Sequence, residues 1–329
     1  MPTVAPYDFD CHVECAGFVD DMPIFALVDG MIQFPLSTTK SVVANDGLLS
    51  ACLSLDGKSI ITGGEDGRVV RVSGSGDVTQ LAEQPRKWID VVASGPNGAV
   101  AFASGRTAWV GTHDGDVTEF PHERAVEGLA FAPKGMRLAC GRYNGVSLRW
   151  VAGQAKPVDL HWDGAHTTVM FSPDGKYVVT TMAENALHGW RLDDKKTGDG
   201  KHMRMSGYPA KPKSLSWSPK GKWLASSGAQ AAICWPFSGK DGPIGKAPRE
   251  LGTRADSMVT IVACHPSQDV VAIGYADGMI MAVKIDDAEE ALLRRPGKGP
   301  ISTMAWDSEG MRLVFGSEEG EAGLIDVSS

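Results

Sequence analysis

One pattern recurs eight times along this chain of 329 residues and limits what it can fold into. Each copy has a strand-like run, a tight turn such as the SPDG at 172–175, a second β-rich run, a second turn and a third short strand. Corresponding residues, such as Phe131 and Phe171, recur at intervals of 35 to 47 residues, about 41 on average. A period of this length, filled with strands and turns, is typical of the four-stranded blades of a β-propeller.

The eight repeat units cover most of the chain. They lie at 13–36, 49–73, 89–112, 126–151, 167–192, 213–237, 260–285 and 302–327. Helical periodicity is nearly absent: the most helix-like stretch is DDAEEALLRR at 286–295, for which a loop or an outer strand is the alternative. The longest linkers, 193–212 and 238–256, are polar and rich in Gly, Lys and Pro, as loops are. The sequence therefore predicts an all-β chain.

The turns have residue types that suit hairpins. In the first turn of a unit, Pro fixes φ, Asp or Asn bonds to the backbone with its side chain, and Gly accepts a positive φ. The second turn carries pairs such as Asp66-Gly67 and Asn144-Gly145, which are hairpin signals of the same kind. Both turns therefore indicate antiparallel neighbours within each unit.

The motif FSPDG, then a run like LASSG, then a turn and a strand that ends in Trp resembles the repeats of the WD-repeat β-propeller family. Trp150, Trp190 and Trp235 fall at the family's terminal tryptophan, and Ile325-Asp326 falls at its Trp-Asp pair. None of these tryptophans is followed by Asp, and the family's Gly-His pair is not recognisable. The resemblance thus implies degenerate repeats, held together more by apolar packing than by the family's buried hydrogen-bond network.

The resemblance also implies how the chain is organised. Residues 1–329 form a single all-β propeller domain with eight blades as the main expectation. Seven blades is the alternative, in which the first or third unit is something else. In this family each unit supplies three inner strands and the linker supplies the outer one, so the N-terminal segment 2–10 is expected to complete the last blade and close the ring.

Composition excludes several classes of function. The formal net charge is −8 and there is no clear basic face, so no nucleic-acid partner is expected. No stretch approaches the roughly 18 apolar residues of a membrane span, and the N-terminus lacks the features of a secretory signal, so the expected location is the cytoplasm. The six cysteines, scattered through strand-like runs, are then expected to be free thiols.

The sequence offers little that points to chemistry. The motifs GxxxxGK[ST], GxSxG and HExxH are absent. The segment CHVEC has zinc-ligand residue types at Cys11, His12, Glu14 and Cys15, but it lacks a second ligand pair, and strand geometry separates its cysteines. No catalytic residue, metal site or cofactor is therefore predicted, and the chain is expected not to be an enzyme.

The resemblance implies a docking face instead. In WD-repeat proteins, the loops that lead into the inner strands and the second turns surround the central channel and bind proteins or peptides. Transferred by position, that face comprises Lys87, Trp88, Arg124, Arg142, Tyr143, His166, Lys211, Met258 and Tyr275. The main expectation is a non-enzymatic scaffold that binds a protein or peptide, here an acidic segment, as in a multiprotein complex. The alternatives are a propeller enzyme and a small-ligand or metal-handling protein that uses the channel.

Overall fold

β-Strands make up nearly all the regular structure of this chain. The computed structural model describes residues 2–112, 115–153, 155–192, 202–239 and 241–328. Within these ranges there are thirty strands, and the only helix is a single 3-10 turn at Pro96–Gly98. Strands that follow one another in the chain pair antiparallel in small sheets. The fold is an all-β β-propeller, as the sequence predicts.

The chain divides into two compact units. The first unit comprises Met1–Val28, Ile32–Lys40 and Tyr208–Ser329, and the second comprises Asp29–Met31 and Ser41–Gly207.

Strand β1 (Thr3–Asp8) belongs to the last sheet, and the next twelve strands form sheets I to III, each in the order of the chain. Sheet I contains β2 (Val13–Val19), β3 (Met22–Leu27), β4 (Met31–Gln33) and β5 (Ser41–Val43). Sheet II contains β6 (Leu48–Leu53), β7 (Ser59–Gly64), β8 (Arg68–Ser73) and β9 (Val78–Glu83). Sheet III contains β10 (Val91–Ser94), β11 (Val100–Ser104), β12 (Thr107–Gly111) and β13 (Val117–Pro121).

Sheet IV has six strands and the other sheets have four. Sheet IV contains β14 (Val126–Phe131), β15 (Arg137–Trp150), β16 (Val158–Phe171), β17 (Tyr177–Met182), β18 (Ala186–Arg191) and β19 (His202–Met205). Sheet V contains β20 (Leu215–Trp217), β21 (Trp223–Ser226), β22 (Ala232–Pro236) and β23 (Arg249–Leu251). Sheet VI contains β24 (Val259–Cys264), β25 (Val270–Tyr275), β26 (Ile280–Lys284) and β27 (Glu290–Arg294). Sheet VII contains β28 (Ile301–Trp306), β29 (Arg312–Ser317), β30 (Glu321–Asp326) and β1.

The number of blades corrects the prediction from sequence. If each hydrogen-bonded sheet is counted as one blade, the described chain has seven blades, and the prediction of eight is wrong. The reason is not a weak first or third unit, since each of these forms its own sheet. The fourth and fifth repeat units instead share sheet IV: β15 and β16 are 14 residues long, and Tyr143 pairs with Ala165 where the two units meet. Eight repeat units therefore occupy seven sheets.

The N-terminal segment completes the C-terminal sheet, as predicted. Strand β1 pairs antiparallel with β30 over six residues, from Thr3 opposite Asp326 to Asp8 opposite Glu321. Tyr7 also packs edge-on against Phe25, with ring centroids 5.7 Å apart. The pairing covers an edge of the sheet that would otherwise present unpaired backbone groups.

The core lies in the inner strands of each sheet. Every residue of β7 and β17 is buried, whereas β9 is mostly exposed. Trp190 and Trp235 are buried, as their packing role requires, but Trp150 is 45% exposed and is not a core residue. The helix-like stretch at 286–295 contains outer strand β27, and linkers 193–212 and 238–256 contain outer strands β19 and β23.

Hydrogen-bond networks accompany the apolar packing of the repeats. In sheet II, the amide oxygen of Asn45 accepts a 2.6 Å bond from Thr62 and its amide nitrogen donates to Asp66 over 3.1 Å. In sheet V, the Tyr208 hydroxyl lies 2.6 Å from that of Ser226 and accepts a 2.7 Å bond from the Trp235 indole.

No helix of the described chain has the length and apolar character needed to cross a membrane.

Candidate functional site

The nine residues predicted for the docking face fall in both units. Lys211, Met258 and Tyr275 belong to the first unit, and the remaining six belong to the second. In the first unit, Lys211 and Met258 are half-buried. In the second unit, Lys87, Trp88, Arg124 and Tyr143 are exposed. Docking at the nine residues as a set stays a prediction.

Two of the nine, His166 and Tyr275, are fully buried. His166 lies 2.7 Å through Nδ1 from the Thr180 hydroxyl and 3.0 Å through Nε2 from the Trp162 carbonyl oxygen, and burial lowers its pKa. Tyr275 donates its hydroxyl to the Gly252 carbonyl. Both side chains point into the protein and bond within it, so neither reaches a partner in this conformation.

Arg142 is already engaged within the chain. Its guanidinium forms a 2.6 Å ion pair with Asp159, and its side chain is only 17% exposed. A partner would have to compete with that carboxylate. Among the large apolar residues of the predicted face, Trp88 is the most exposed, and we take it as the centre of the candidate site.

Trp88 lies in the loop that leads from β9 into inner strand β10. Because the strands of sheets II, III and IV alternate in direction, the loops that lead into their inner strands and their second turns lie at one strand end. We call this end the upper edge of a sheet and the opposite end its lower edge. Arg86 and Lys87 are in the same loop as Trp88, while Arg124 is in the next loop of this kind, between β13 and β14.

The turn between β11 and β12 joins these two loops. Gly105 donates its backbone N–H to the Asp90 carboxylate over 3.3 Å, and its carbonyl accepts a 2.8 Å bond from the Val126 N–H. The carbonyl of Arg106 accepts a further 2.8 Å bond from the His122 N–H. Arg106 is thereby held between the Trp88 loop and the Arg124 loop. We name Arg86, Lys87, Trp88, Arg106 and Arg124 the Trp88 cluster.

The Trp88 cluster exposes aromatic surface and unneutralised positive charge. Trp88 is 60% exposed. None of the four cations forms an ion pair with a carboxylate of the described residues, whereas other arginines of the chain, such as Arg68 and Arg254, do. Lys87 instead places its ammonium 4.9 Å from the Trp109 ring centroid. Such an arrangement is suited to an anionic partner.

The backbone of this loop has one position in the left-handed region, as does the turn between β26 and β27 at Ala288. Arg86 has φ of +62°, in the left-handed region that residues other than Gly, Asn and Asp seldom adopt. Strained positions of this kind are concentrated at functional sites. Sequence reasoning identified Lys87, Trp88 and Arg124 but missed Arg86 and Arg106. The sequence signal for Arg106 is the turn SGRT at 104–107, which contains a cation and no Asp or Glu.

The CHVEC segment spans the start of β2: Cys11 and His12 precede the strand, and Cys15 lies within it. None of the six cysteines forms a disulfide with a described residue: Cys11, Cys15, Cys52 and Cys264 are half-buried, and Cys140 and Cys234 are buried. His12 Nε2 lies 3.8 Å from a Glu14 carboxylate oxygen, and burial raises the pKa of Glu14 to about 7. Among the described residues, no three His, Cys, Asp or Glu side chains are placed to hold one metal ion.

Comparison with known proteins shows low similarity over part of the chain. Telomerase protein component 1 of Rattus norvegicus is 24% identical over 208 residues, 61% of this chain and 7% of that protein. The 77 kDa echinoderm microtubule-associated protein of Lytechinus variegatus is 24% identical over 244 residues, 57% of this chain and 36% of that protein. Cilia- and flagella-associated protein 43 of Mus musculus is 30% identical over 74 residues, 22% of this chain and 4% of that protein.

The chain thus matches at most about a third of the length of these relatives. No protein-family model matches it. A crystal structure of the computationally designed Ika8 protein superposes with a TM-score of 0.77 and 18% identity, over 97% of each chain. That likeness supports the fold alone.

Proposed function

We propose that this chain is a non-enzymatic interaction module that binds an acidic segment of a protein partner at the Trp88 cluster. The observation that carries the proposal is the exposed Trp88 among four cations without carboxylate partners in the described chain. Trp and Arg are enriched in the residues that dominate binding energy at protein interfaces. The β-propeller fold and the relatives agree with a scaffold role.

Charge argues for an acidic partner. The cluster is formed by the segments 84–90, 105–106 and 122–125. Together they contain four cations and two carboxylates, Asp90 and Glu123, although the whole chain has a formal net charge of −8. The local excess of positive charge attracts an acidic segment to this place. The net negative charge of the rest of the chain repels the same segment elsewhere. The indole ring adds apolar contact area at little cost in conformational entropy. The partner is therefore expected to have glutamate or aspartate next to an apolar side chain.

Fluorescence anisotropy with defined peptides tests the proposal. The peptides have equal length and start from a glutamine-rich parent. In two further peptides, glutamate replaces half or most of the glutamines, and each peptide is titrated with the purified chain. Affinity is expected to rise with glutamate content and to fall as salt is added, because the charges are at the surface. Trp88→Ala combined with Arg124→Ala is expected to weaken binding at least about tenfold.

Trp150 supplies the matched control. It too is an exposed tryptophan beside an arginine, with the Arg137 guanidinium 5.5 Å from its ring centroid, but it lies at the lower edge of sheet IV. Trp150→Ala is expected to leave peptide affinity unchanged. Affinity that is independent of glutamate content, or equal losses in both variants, would contradict the proposal.

The name of one relative suggests a protein-sized probe. Because the echinoderm relative is named as microtubule-associated, co-sedimentation of this chain with assembled microtubules is a second assay. If microtubules are the partner, the Trp88 and Arg124 double variant remains in the supernatant while Trp150→Ala sediments like the unmodified chain.

A further inference from the structure

A second feature at the upper edge of the second unit is a cleft in sheet IV. It has an open volume of about 370 Å³. Its walls come from residues 161–163 of β16, from the turn between β17 and β18 with its flanking residues, and from β19. The lining residues are His161, Trp162, Asp163, Met182, Glu184, Ala186 and Arg204, which we call the Trp162 cleft.

Gly164 keeps the cleft open. It has φ of +119°, and a Cβ atom there would lie 2.7 Å from the Met182 methyl carbon and 2.8 Å from a Glu184 carboxylate oxygen. The neighbouring loop is fixed by two bonds: Gly164 N–H donates to the Asn144 side chain over 3.3 Å, and Ala165 N–H donates to Glu184 Oε1 over 3.1 Å. The shape of the cleft thus depends on a residue without a side chain.

The aromatic wall of the cleft lies on a buried imidazole. Trp162 stacks on His188, with ring centroids 4.2 Å apart and an interplanar angle of 19°. His188 is fully buried, and neither of its ring nitrogens has a hydrogen-bond partner in the described chain. Burial lowers the pKa of His188 to about 3, so the imidazole under Trp162 is neutral at physiological pH.

Carboxylates face the open side of the cleft. Glu184 uses one oxygen for the Ala165 N–H, and its other oxygen accepts no hydrogen bond from a described residue. The Asp163 side chain is 90% exposed, and its Oδ1 lies 3.7 Å from His161 Nε2. This contact is an ion pair only when the imidazole is protonated. Arg204, the cation of the cleft, forms no ion pair with either carboxylate among the described contacts. Two carboxylates beside a fixed indole suit a cation.

We propose that the Trp162 cleft binds the cationic end of a lysine or arginine side chain. The ammonium or guanidinium group would sit against the Trp162 ring and donate hydrogen bonds to Glu184 and Asp163. The inference rests on the proposed function only for the bearer of that side chain, a partner segment. Inner strands β10 and β14 are neighbours, so sheets III and IV adjoin within the second unit. The partner is then expected to have an acidic stretch for the Trp88 cluster and a basic residue for the cleft.

Nuclear magnetic resonance with small probes tests the cleft by itself. The chain has nine tryptophans, and the indole N–H signal of Trp162 is assigned from the Trp162→Phe variant. N-acetyl-arginine amide and N-acetyl-lysine amide are titrated, with N-acetyl-norleucine amide as the neutral probe of similar length. The expected result is a saturable shift of the Trp162 signal with a cationic probe and none with the neutral one.

Charge removal gives the second readout. Asp163→Asn with Glu184→Gln keeps the hydrogen bond that Ala165 donates and is expected to weaken cation binding about fivefold or more. Glu65→Gln, which removes an exposed carboxylate at the upper edge of sheet II, is expected to leave it unchanged. Equal shifts with the neutral probe, no shift with either cation, or binding unaffected by the double variant would overturn the inference.

The two proposals fail separately. If the cleft shows no cation binding while glutamate-rich peptides still bind and lose affinity in the Trp88 and Arg124 variant, only the cleft inference falls. If cations bind the cleft but glutamate content has no effect on peptide affinity, the cleft stands and the proposed function falls.

Discussion

Buried polar groups of single residues are satisfied in ways that repeat position alone does not show. The hydroxyl of Tyr208 is buried between Ser226 and the Trp235 indole and bonds to both. The hydroxyl of Tyr7 is also buried but has no hydrogen-bond partner in the described chain. An unsatisfied buried group costs more free energy than a bonded one gains, so the two hydroxyls should contribute to stability with opposite sign.

The two tyrosines make a matched pair of variants. Tyr208→Phe leaves the buried Trp235 N–H without an acceptor and is expected to lower the free energy of unfolding by about 1–3 kcal/mol. Tyr7→Phe removes a group without a described partner and is expected to be neutral or slightly stabilising. Urea denaturation followed by tryptophan fluorescence measures both. A greater loss of stability in Tyr7→Phe would show that these hydrogen bonds are not the cause.

Repeat position does not show which side chains are accessible. Trp88 is exposed, while its neighbours Ile89 and Asp90 are held by core packing and by a hydrogen bond from the Gly105 N–H. His166 and Tyr275 occupy corresponding segments but turn inward, where Thr180 and the Gly252 carbonyl offer partners. The direction of a side chain depends on those distant partners, which no local pattern encodes.

At the scale of elements, a repeated irregularity marks the start of the inner strands. In β2, β6, β14, β24 and β28 the register with the next strand shifts at the second residue, and β16 has a longer shift between His166 and Val169. The extra residue is Glu14, Leu49, Glu127, Thr260 or Ser302 in the five short cases. A bulge turns that side chain out of the alternation of the strand.

Hydroxyl groups at these bulges link neighbouring sheets. Thr260 of sheet VI donates to the Ile301 carbonyl of sheet VII over 2.7 Å, and Ser302 donates to the Val13 carbonyl of sheet I over 2.6 Å. One residue further on, the Thr303 hydroxyl accepts a 3.0 Å bond from the Ala16 N–H. The Ser and Thr content of the inner strands therefore serves the contacts between sheets of the first unit.

Thr260→Val tests the contribution of such a link. The substitution keeps the side-chain shape and removes a hydroxyl that bonds to Ile301 and, over 3.2 Å, to Gly274. Stability is expected to fall by about 1–2 kcal/mol, since the single hydroxyl proton is lost and the Ile301 carbonyl, its nearer acceptor, loses that donor. Thr79→Val in exposed outer strand β9 controls for strand propensity and should change stability by less than about 0.5 kcal/mol. Thermal melts of the two variants that coincide would contradict the link.

At the scale of the whole molecule, both chain ends contribute to one sheet. Strand β1 lies beside β30 and covers its full length, so the last sheet is complete only when residues 3–8 are in place. The Asp8 carboxylate adds a 3.1 Å ion pair with Lys298, although both side chains are largely exposed. Backbone pairing and the packing of Tyr7 should therefore matter more than this ion pair.

Deletion of residues 2–8 tests this arrangement. The variant uncovers the backbone of β30 and is expected to melt about 5–10 °C lower and to self-associate as its concentration rises. Lys298→Ala, which breaks only the exposed ion pair, should melt close to the unmodified chain. A synthetic peptide of residues 2–9, added in excess, should restore part of the lost stability. A deletion variant that melts unchanged would mean that β1 adds nothing to the sheet.

The sequence by itself determined the strand content, the eight repeat units and the pairing of the N-terminal segment with the last sheet. The first two features follow from local signals, namely turn residues and strand-forming runs that recur along the chain. The pairing of the N-terminal segment joins distant residues and followed from the resemblance to the WD-repeat family. Tertiary structure decided that two repeat units share sheet IV, because one continuous strand, β16, pairs with β15 from Val158 to Ala165 and with β17 from His166 to Phe171. It also decided which cations stay unpaired around Trp88, since ion pairs form between residues that only the fold brings together.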